Sequence, residues 1–270
     1  MREQALALVR GVDDPGKGLN FLREYLQALV LRSLYESEAF RPLAFVGGTA
    51  LRFLHSLPRF SEDLDFSTVS PEGYAGRDWM AKVKRDLTLA GLDPTVTWNE
   101  RRVVHTGWVR VPRLLYEAHL SARPEEKLAI KLEIDTRPPA GARCERRIVT
   151  KYVTFLVQHY DLPSLLAGKL HAVLTRPYAK GRDWYDLVWY LSQRPPVAPN
   201  VSLLQAALDQ TRGPGKHDAG SWRALVEQRL KALDLKAIRD DVSPFLERPE
   251  DAGLLTRENL HGLLQEAAAP

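Results

Sequence analysis

LAFVGGTALRFLHSLPRFSEDLDF, residues Leu43 to Phe66, reads as strand, glycine turn, helix, loop and acidic strand in that order. The apolar run Leu43 to Val46 has the length and composition of a buried strand. Gly47 and Gly48 break it, and Thr49 stands where a helix N-cap belongs. A helix from Ala50 to Leu57 then directs Leu51 and Leu54 toward a core, with Phe53 one position off, and Pro58 ends it. Beyond a short loop, Asp63, Leu64, Asp65 and Phe66 alternate acid and apolar. In a strand, both carboxylates then share one face and both hydrophobes the other.

Each part has a chemical use. Two glycines ahead of a helix expose backbone N–H groups, and the helix dipole adds positive potential, so the turn suits phosphate. Two aspartates on one strand face offer hard oxygen ligands to Mg2+. A phosphate cradle beside a carboxylate pair suits metal-assisted phosphoryl or nucleotidyl transfer, in which the metal neutralises nucleotide charge and activates the attacking oxygen. Taken alone, Gly-Gly is most often a plain turn and D-x-D a solvated strand edge. Their occurrence together, in this order, carries the reading. Two acids on a half-buried strand also need a partner, because unpaired buried charge is costly, and a metal is the expected one.

The rest of the chain sets limits. Its 270 residues can bury a substantial core in one or two domains. An apolar fraction of 44% and a charged fraction of 27% are ordinary for a soluble globular protein. A net charge of +4 and a pI near 9.1 fit a polyanionic partner such as RNA without requiring one. Cys144 is the single cysteine, which excludes an intrachain disulfide and an all-cysteine metal site and matches a reducing cytoplasm. The N-terminal apolar run is too short for a signal peptide, and no segment approaches the roughly 18 to 20 apolar residues of a membrane helix. The histidines show no H-E-x-x-H spacing, and neither a G-x-S-x-G elbow nor a G-x-x-x-x-G-K-[ST] loop occurs. Zinc, serine hydrolase and P-loop readings lose their main support.

Taken in order, Gly18 to about Glu38 is helical by its three- and four-residue apolar steps, and a second helix spans about Arg77 to Ala90. Strands are predicted at Thr95 to Trp98, Val103 to Val111, Leu114 to Leu120, Leu128 to Asp135 and Arg146 to Phe155. In the fourth of these, Lys131, Glu133 and Asp135 face one way, so a third acid is available beside the aspartate pair; charges paired with Lys131 on a surface strand are the alternative. Beyond Asp161 the strand patterns stop. We expect a boundary there, giving domains at 1–158 and 159–270. Asp161 or Ser164 caps a helix running to about Arg176, on which Lys169 and Arg176 share a stripe. Both suit a triphosphate, or simply solvent. The next helix begins near Lys180 and sets Asp183, Asp186 and Tyr190 on one face. Pro195 to Pro199 is a linker, followed by four more helical patterns.

The motifs G-G-T-A-L-R and R-F-S-E-D-L-D-F, Gly47 to Phe66, resemble the first motif of the AbiEii/AbiGii toxin family, nucleotidyltransferases of the DNA polymerase β-like superfamily. Thr49 stands where the wider superfamily more often has Ser. The likeness continues more loosely at Lys131 to Asp135 and from Asp161 to Leu191. It implies an α/β (α+β) nucleotidyltransferase domain with a mixed, partly antiparallel sheet flanked by helices, then an α-helical C-terminal domain. It further implies a cytoplasmic toxin of a toxin–antitoxin or phage-defence (abortive infection) pair. Such a protein uses NTP and Mg2+, or Mn2+, with a cognate antitoxin protein as partner and the tRNA 3′ end as acceptor. By resemblance Asp63, Asp65 and Glu133 hold the metal, with Asp135 second to Glu133. Lys169 in A-G-K-L-H-A serves the nucleotide phosphates, closing on an NTP bound between the domains, and Asp183 in K-G-R-D supplies the fourth-motif acid. Gly47, Gly48, Thr49, Ser61 and Lys169 form the expected nucleotide-binding set. Transfer to a protein or small molecule, and a non-catalytic nucleotide-binding protein, are the alternatives.

Overall fold

In the computed structural model, which describes residues 1–266, the strand at Leu43 lies inside a seven-stranded sheet. The last four residues of the expected helical domain, 267–270, lie outside the described residues. The elements in order are α1 (Arg2–Ala7), α2 (Pro15–Glu36), β1 (Leu43–Val46), α3 (Gly47–His55), β2 (Asp63–Thr68), α4 (Gly76–Leu89), β3 (Thr95–Asn99), β4 (Val104–Pro112), α5 (Leu114–Glu117), β5 (Lys127–Asp135), β6 (Cys144–Val149) and β7 (Phe155–Tyr160). Then come α6 (Leu162–Thr175), α7 (Gly181–Leu191), α8 (Val201–Arg212), α9 (Trp222–Lys231), α10 (Leu235–Val242) and α11 (Arg257–Glu266), with short 3-10 turns between them.

Contacts divide the chain into two units, the first built from Met1–Ser56, Phe60–Arg137 and Glu145–His159. Its sheet has the order β3-β4-β5-β2-β1-β7-β6. β1 and β2 run antiparallel, β2 and β5 parallel, and β3, β4 and β5 form an antiparallel meander. Leu64 and Phe66 of β2 and Leu132 and Ile134 of β5 are buried together, as the period of two requires. α2 packs on α4 and on β5, contributing Leu22, Leu26, Leu29 and Val30 to this core. Each such fully buried side chain contributes about 1.5–3 kcal/mol. α2 starts on Asp14, whose carboxylate accepts from the N–H groups of Gly16 and Lys17.

Three local expectations differ from the fold. Leu114 to Leu120 is not a strand. β4 ends at Pro112, which has no N–H for a ladder, Arg113 takes φ +63°, and buried Leu114 and Leu115 anchor one helical turn instead. Arg146 to Phe155 is not one strand but two, because the polar run Thr150 to Tyr152 turns the chain, with Tyr152 at φ +63°. And α3 begins at Gly47, so Thr49 lies within its first turn and is not the N-cap.

The second unit comprises Leu57–Arg59, Pro138–Cys144 and the chain from Tyr160 on. Asp161 caps α6 by accepting from Ser164 N–H at 2.9 Å. α6 packs on α7, α8 and α9, and α7 on α10, around Leu166, Leu170, Trp184, Leu187 and Leu204. Gly181 admits the α10 backbone, since a Cβ there would sit 1.9 Å from the Ile238 carbonyl oxygen. Among the described residues no helix is long and apolar enough to cross a membrane.

Candidate active site

β2 runs between β1 and β5, and this placement assembles the acidic face of the first unit. Asp65 stands opposite Val46 on one side and Glu133 on the other, while Asp63 stands opposite Lys131. Asp63, Asp65, Lys131 and Glu133 are all half-buried, on the face away from Leu64 and Leu132. Asp135 is one step further along β5, and its Oδ1 accepts from the Arg137 N–H at 2.9 Å, capping the turn there.

The glycine turn touches this face. Gly47 has φ +78°, and a Cβ placed on it would lie 2.3 Å from Asp65 Oδ2. Only glycine permits both the backbone and the approach of the carboxylate. Gly47 and Gly48 open α3, whose first N–H groups have no intrahelical acceptor. The Thr49 hydroxyl, fully buried, donates to the Asp63 carbonyl and ties the helix start to β2. Gln27 of α2 donates through Nε2 to the Ser61 and Glu62 carbonyls, both at 3.0 Å, and holds the loop that leads into the acids. Arg52 of α3, 6% exposed, pairs with buried Glu24 of α2 at 2.5 Å, and Lys151 and the Tyr152 hydroxyl meet the other Glu24 oxygen at 2.9 Å. That buried node anchors the helix behind the turn.

The donor set suits a hard cation: three carboxylates on two neighbouring strands, half open to solvent. Among the described residues, however, no three metal-ligating side chains gather into a ready cage. A cation of the chain itself is already there: Lys131 Nζ lies 2.8 Å from Glu133 Oε1. The hydrogen bond that Lys131 donates to Glu133, and the charges of Glu133, Asp63 and Asp65, hold the Lys131 pKa above its ordinary value although burial opposes them. A metal held by these acids would take over the neutralising role of that ammonium.

In the second unit Lys169 and Asp183 meet directly. Lys169 Nζ lies 2.7 Å from both Asp183 Oδ1 and Asp186 Oδ2. Arg59 Nε and Nη2 bind the two Asp186 oxygens, each at 2.6 Å, with Arg59 2% and Asp186 0% exposed. Arg176 Nε reaches Asp183 Oδ2 at 3.0 Å. Burial is the largest influence on Lys169 and lowers its pKa, but Asp183 and Asp186 outweigh it, so the ammonium is stabilised. Burial likewise raises the Asp183 carboxyl, and Lys169, Arg176 and Arg59 bring it below its ordinary value. The cluster is a closed ionic network, and Asp186 rather than Asp183 is its centre. Arg59 and Asp186 were the partners sequence reasoning did not pair. The one available signal was an arginine placed within the apolar run Leu57-Pro58-Arg59-Phe60.

Two crystal structures from Helicobacter pylori resemble the chain at the level of fold. One is JHP933, at 18% identity and a TM-score of 0.51 over 92% of this chain and 93% of that one. The other is a presumptive nucleotidyltransferase, at 18% identity and a TM-score of 0.50 over 91% and 95%. Nothing matches among curated proteins. The model of the nucleotidyl transferase AbiEii toxin family, of type IV toxin–antitoxin systems, matches residues 29–257. That span takes in the glycine turn, the acidic strands and the Lys169–Asp183–Asp186 network, and the chain belongs to this family of nucleotidyltransferases.

Proposed function

We propose that the acidic face of the first unit transfers a nucleoside monophosphate from NTP to an RNA 3′ hydroxyl, that of tRNA, as the toxin of a type IV pair restrained by a cognate antitoxin protein and acting in phage defence. The observation that carries the proposal is the contact of Asp65 with the Gly47 turn, which brings a phosphate cradle and a carboxylate face to one place. Asp63, Asp65 and Glu133 would hold Mg2+, which supplies charge neutralisation of the triphosphate and acidification of the attacking hydroxyl. The N–H groups at Gly47, Gly48 and Thr49 bind phosphate oxygens, with the helix dipole behind them. Thr49 acts here through its backbone, its hydroxyl being committed to the Asp63 carbonyl, and Ser61 belongs to the loop that Gln27 holds beside the site. The acceptor oxygen forms its bond to the α-phosphorus as the bond to the β-phosphate breaks; pyrophosphate leaves, and the hydroxyl proton passes to Glu133. Lys169 serves phosphate, and Asp183 with Asp186 holds it charged.

The purified protein is incubated with each α-labelled NTP and Mg2+, together with total tRNA, a protein extract or neither. Label is expected in tRNA. Label in protein, or nowhere, overturns the RNA acceptor. Asp63→Asn and Asp65→Asn should each lower transfer by about 10²-fold or more with an unchanged melting midpoint, as loss of a preorganised charge at a reacting phosphate requires. Wild-type rates in either variant would remove the metal assignment.

A further inference from the structure

The acidic face does not stop at β5. Strand register continues it in two rows, Asp65–Glu133–Thr106–Asn99 and Asp63–Lys131–Trp108–Thr97, across β2, β5, β4 and β3. Over the outer part of these rows lies a groove of about 510 Å³, lined by Thr97, Asn99, Arg102, Thr106, Trp108 and, at its inner end, Lys131 and Glu133. Trp108 is only half-buried on this face, with the Arg110 guanidinium 4.7 Å and Lys131 Nζ 5.9 Å from its ring centroid. Arg101 and Arg102 lie exposed in the β3–β4 hairpin. The one acid of that hairpin, Glu100, is paired with Arg77 at 2.6 Å. An indole flanked by arginines that pair with no acid among the described residues is a stacking platform for a base with cations for its phosphates, the chemistry that binds single-stranded nucleic acid.

We infer that this groove is the acceptor subsite, where the terminal bases of a single-stranded RNA 3′ end stack on Trp108 and its phosphates meet Arg102 and Arg110. The inference rests on the nucleotidyl-transfer reading above and deepens it. Topology decides against the base of the incoming nucleotide. In-line displacement needs the attacking and leaving oxygens on opposite sides of the α-phosphorus. With the leaving phosphates at the Gly47 turn beside β1, and the acids on β2 and β5, the attacking hydroxyl arrives from the β4 side. Trp108 stands two strands from Asp63, about 10 Å at ordinary strand spacing.

The test measures two affinities on the full chain: for a 5′-fluorescein single-stranded RNA with a free 3′ hydroxyl, by anisotropy at fixed salt, and for NTP with Mg2+. Trp108→Ala should weaken RNA binding about tenfold, the loss of one stacked base, while NTP affinity and melting midpoint stay at wild type. Trp108→Phe should restore most of the affinity. Arg102→Ala should weaken RNA binding and lower its salt slope by about one. Arg102→Ala leaves Trp108 in place on β4, so it decides the matter if Trp108→Ala fails to fold. Unchanged RNA affinity in Trp108→Ala and Arg102→Ala, with the wild type labelling RNA, overturns the subsite and leaves the transferase reading intact. A loss of NTP affinity in place of RNA affinity also overturns it, placing the nucleotide's own base in the groove. A wild type that neither binds nor labels RNA overturns both.

Discussion

Gly47 is where backbone conformation and chemistry impose the same demand. Its φ of +78° is strained for any L side chain, and the space a Cβ would need is taken by Asp65 Oδ2 at 2.3 Å. Gly47→Ala therefore costs about 1–3 kcal/mol of stability and, because the carboxylate must move, should reduce transfer far more than the melting midpoint alone would suggest. Denaturant titration beside the labelling assay checks both; an alanine variant of wild-type activity would mean that the close approach of Asp65 is incidental. The D-x-D pair and the glycines were legible because strand period and glycine conformation are local properties. Thr49 was not. A Ser or Thr near a helix start is read as an N-cap, but here the hydroxyl finds the Asp63 carbonyl, a partner only tertiary structure supplies. Lys169 was legible as a cation on a stripe, but not as the ammonium that Asp183 and Asp186 share.

Among the elements, β1 could be read as a short apolar run buried on both faces, and β5 and the Asp63–Phe66 part of β2 by alternation that leaves one face buried. Leu114 to Leu120 misled because an apolar run too short for a clear period fits one helical turn as well as a strand. α3 shows how burial overrides a local rule. His55 sits in its last turn, where the helix dipole favours a charged imidazole by about 0.3–1 kcal/mol. Yet burial first, then Arg147 and His159, push its pKa down to about 4. Arg147 itself donates from Nη1 to the Leu54 carbonyl at 2.6 Å and takes the cationic place at the helix end. The sign for stability follows. Below its ordinary pKa of 6.5 an unfolded His55 takes up a proton that the folded chain refuses until about pH 4. The stability that the neutral ring supports is thus complete above pH 6.5 and is lost as pH falls toward 4. Urea midpoints measured across that window should fall for the wild type and fall less for His55→Gln. Parallel curves would show that another group titrates.

Across the whole molecule the formal charge of +4 conceals how the charges are used, since each unit keeps a buried ionic node of its own. In the first it is Glu24 with Arg52 and Lys151; in the second, Asp186 with Arg59 and Lys169. Exposed pairs such as Lys236–Asp240, 82% and 65% exposed, are screened by water and salt, so Lys236→Met should leave the melting midpoint nearly unchanged. Arg59→Met is a different case. It removes two of the hydrogen bonds that satisfy a carboxylate with no access to water, and breaking such a buried pair costs about 3–5 kcal/mol. For a chain of this size that is a drop of about 10 °C in the melting midpoint. Arg59→Met with Asp186→Leu removes the stranded charge as well and should recover part of the loss, a coupling a double-mutant cycle reads directly. If Arg59→Met melts with the wild type, the node is not structural. If it melts early, the same reasoning extends to Lys169→Ala, which leaves Asp183 and Asp186 without their shared ammonium. Its activity then reports a role in handling phosphate only at temperatures where the variant is still folded.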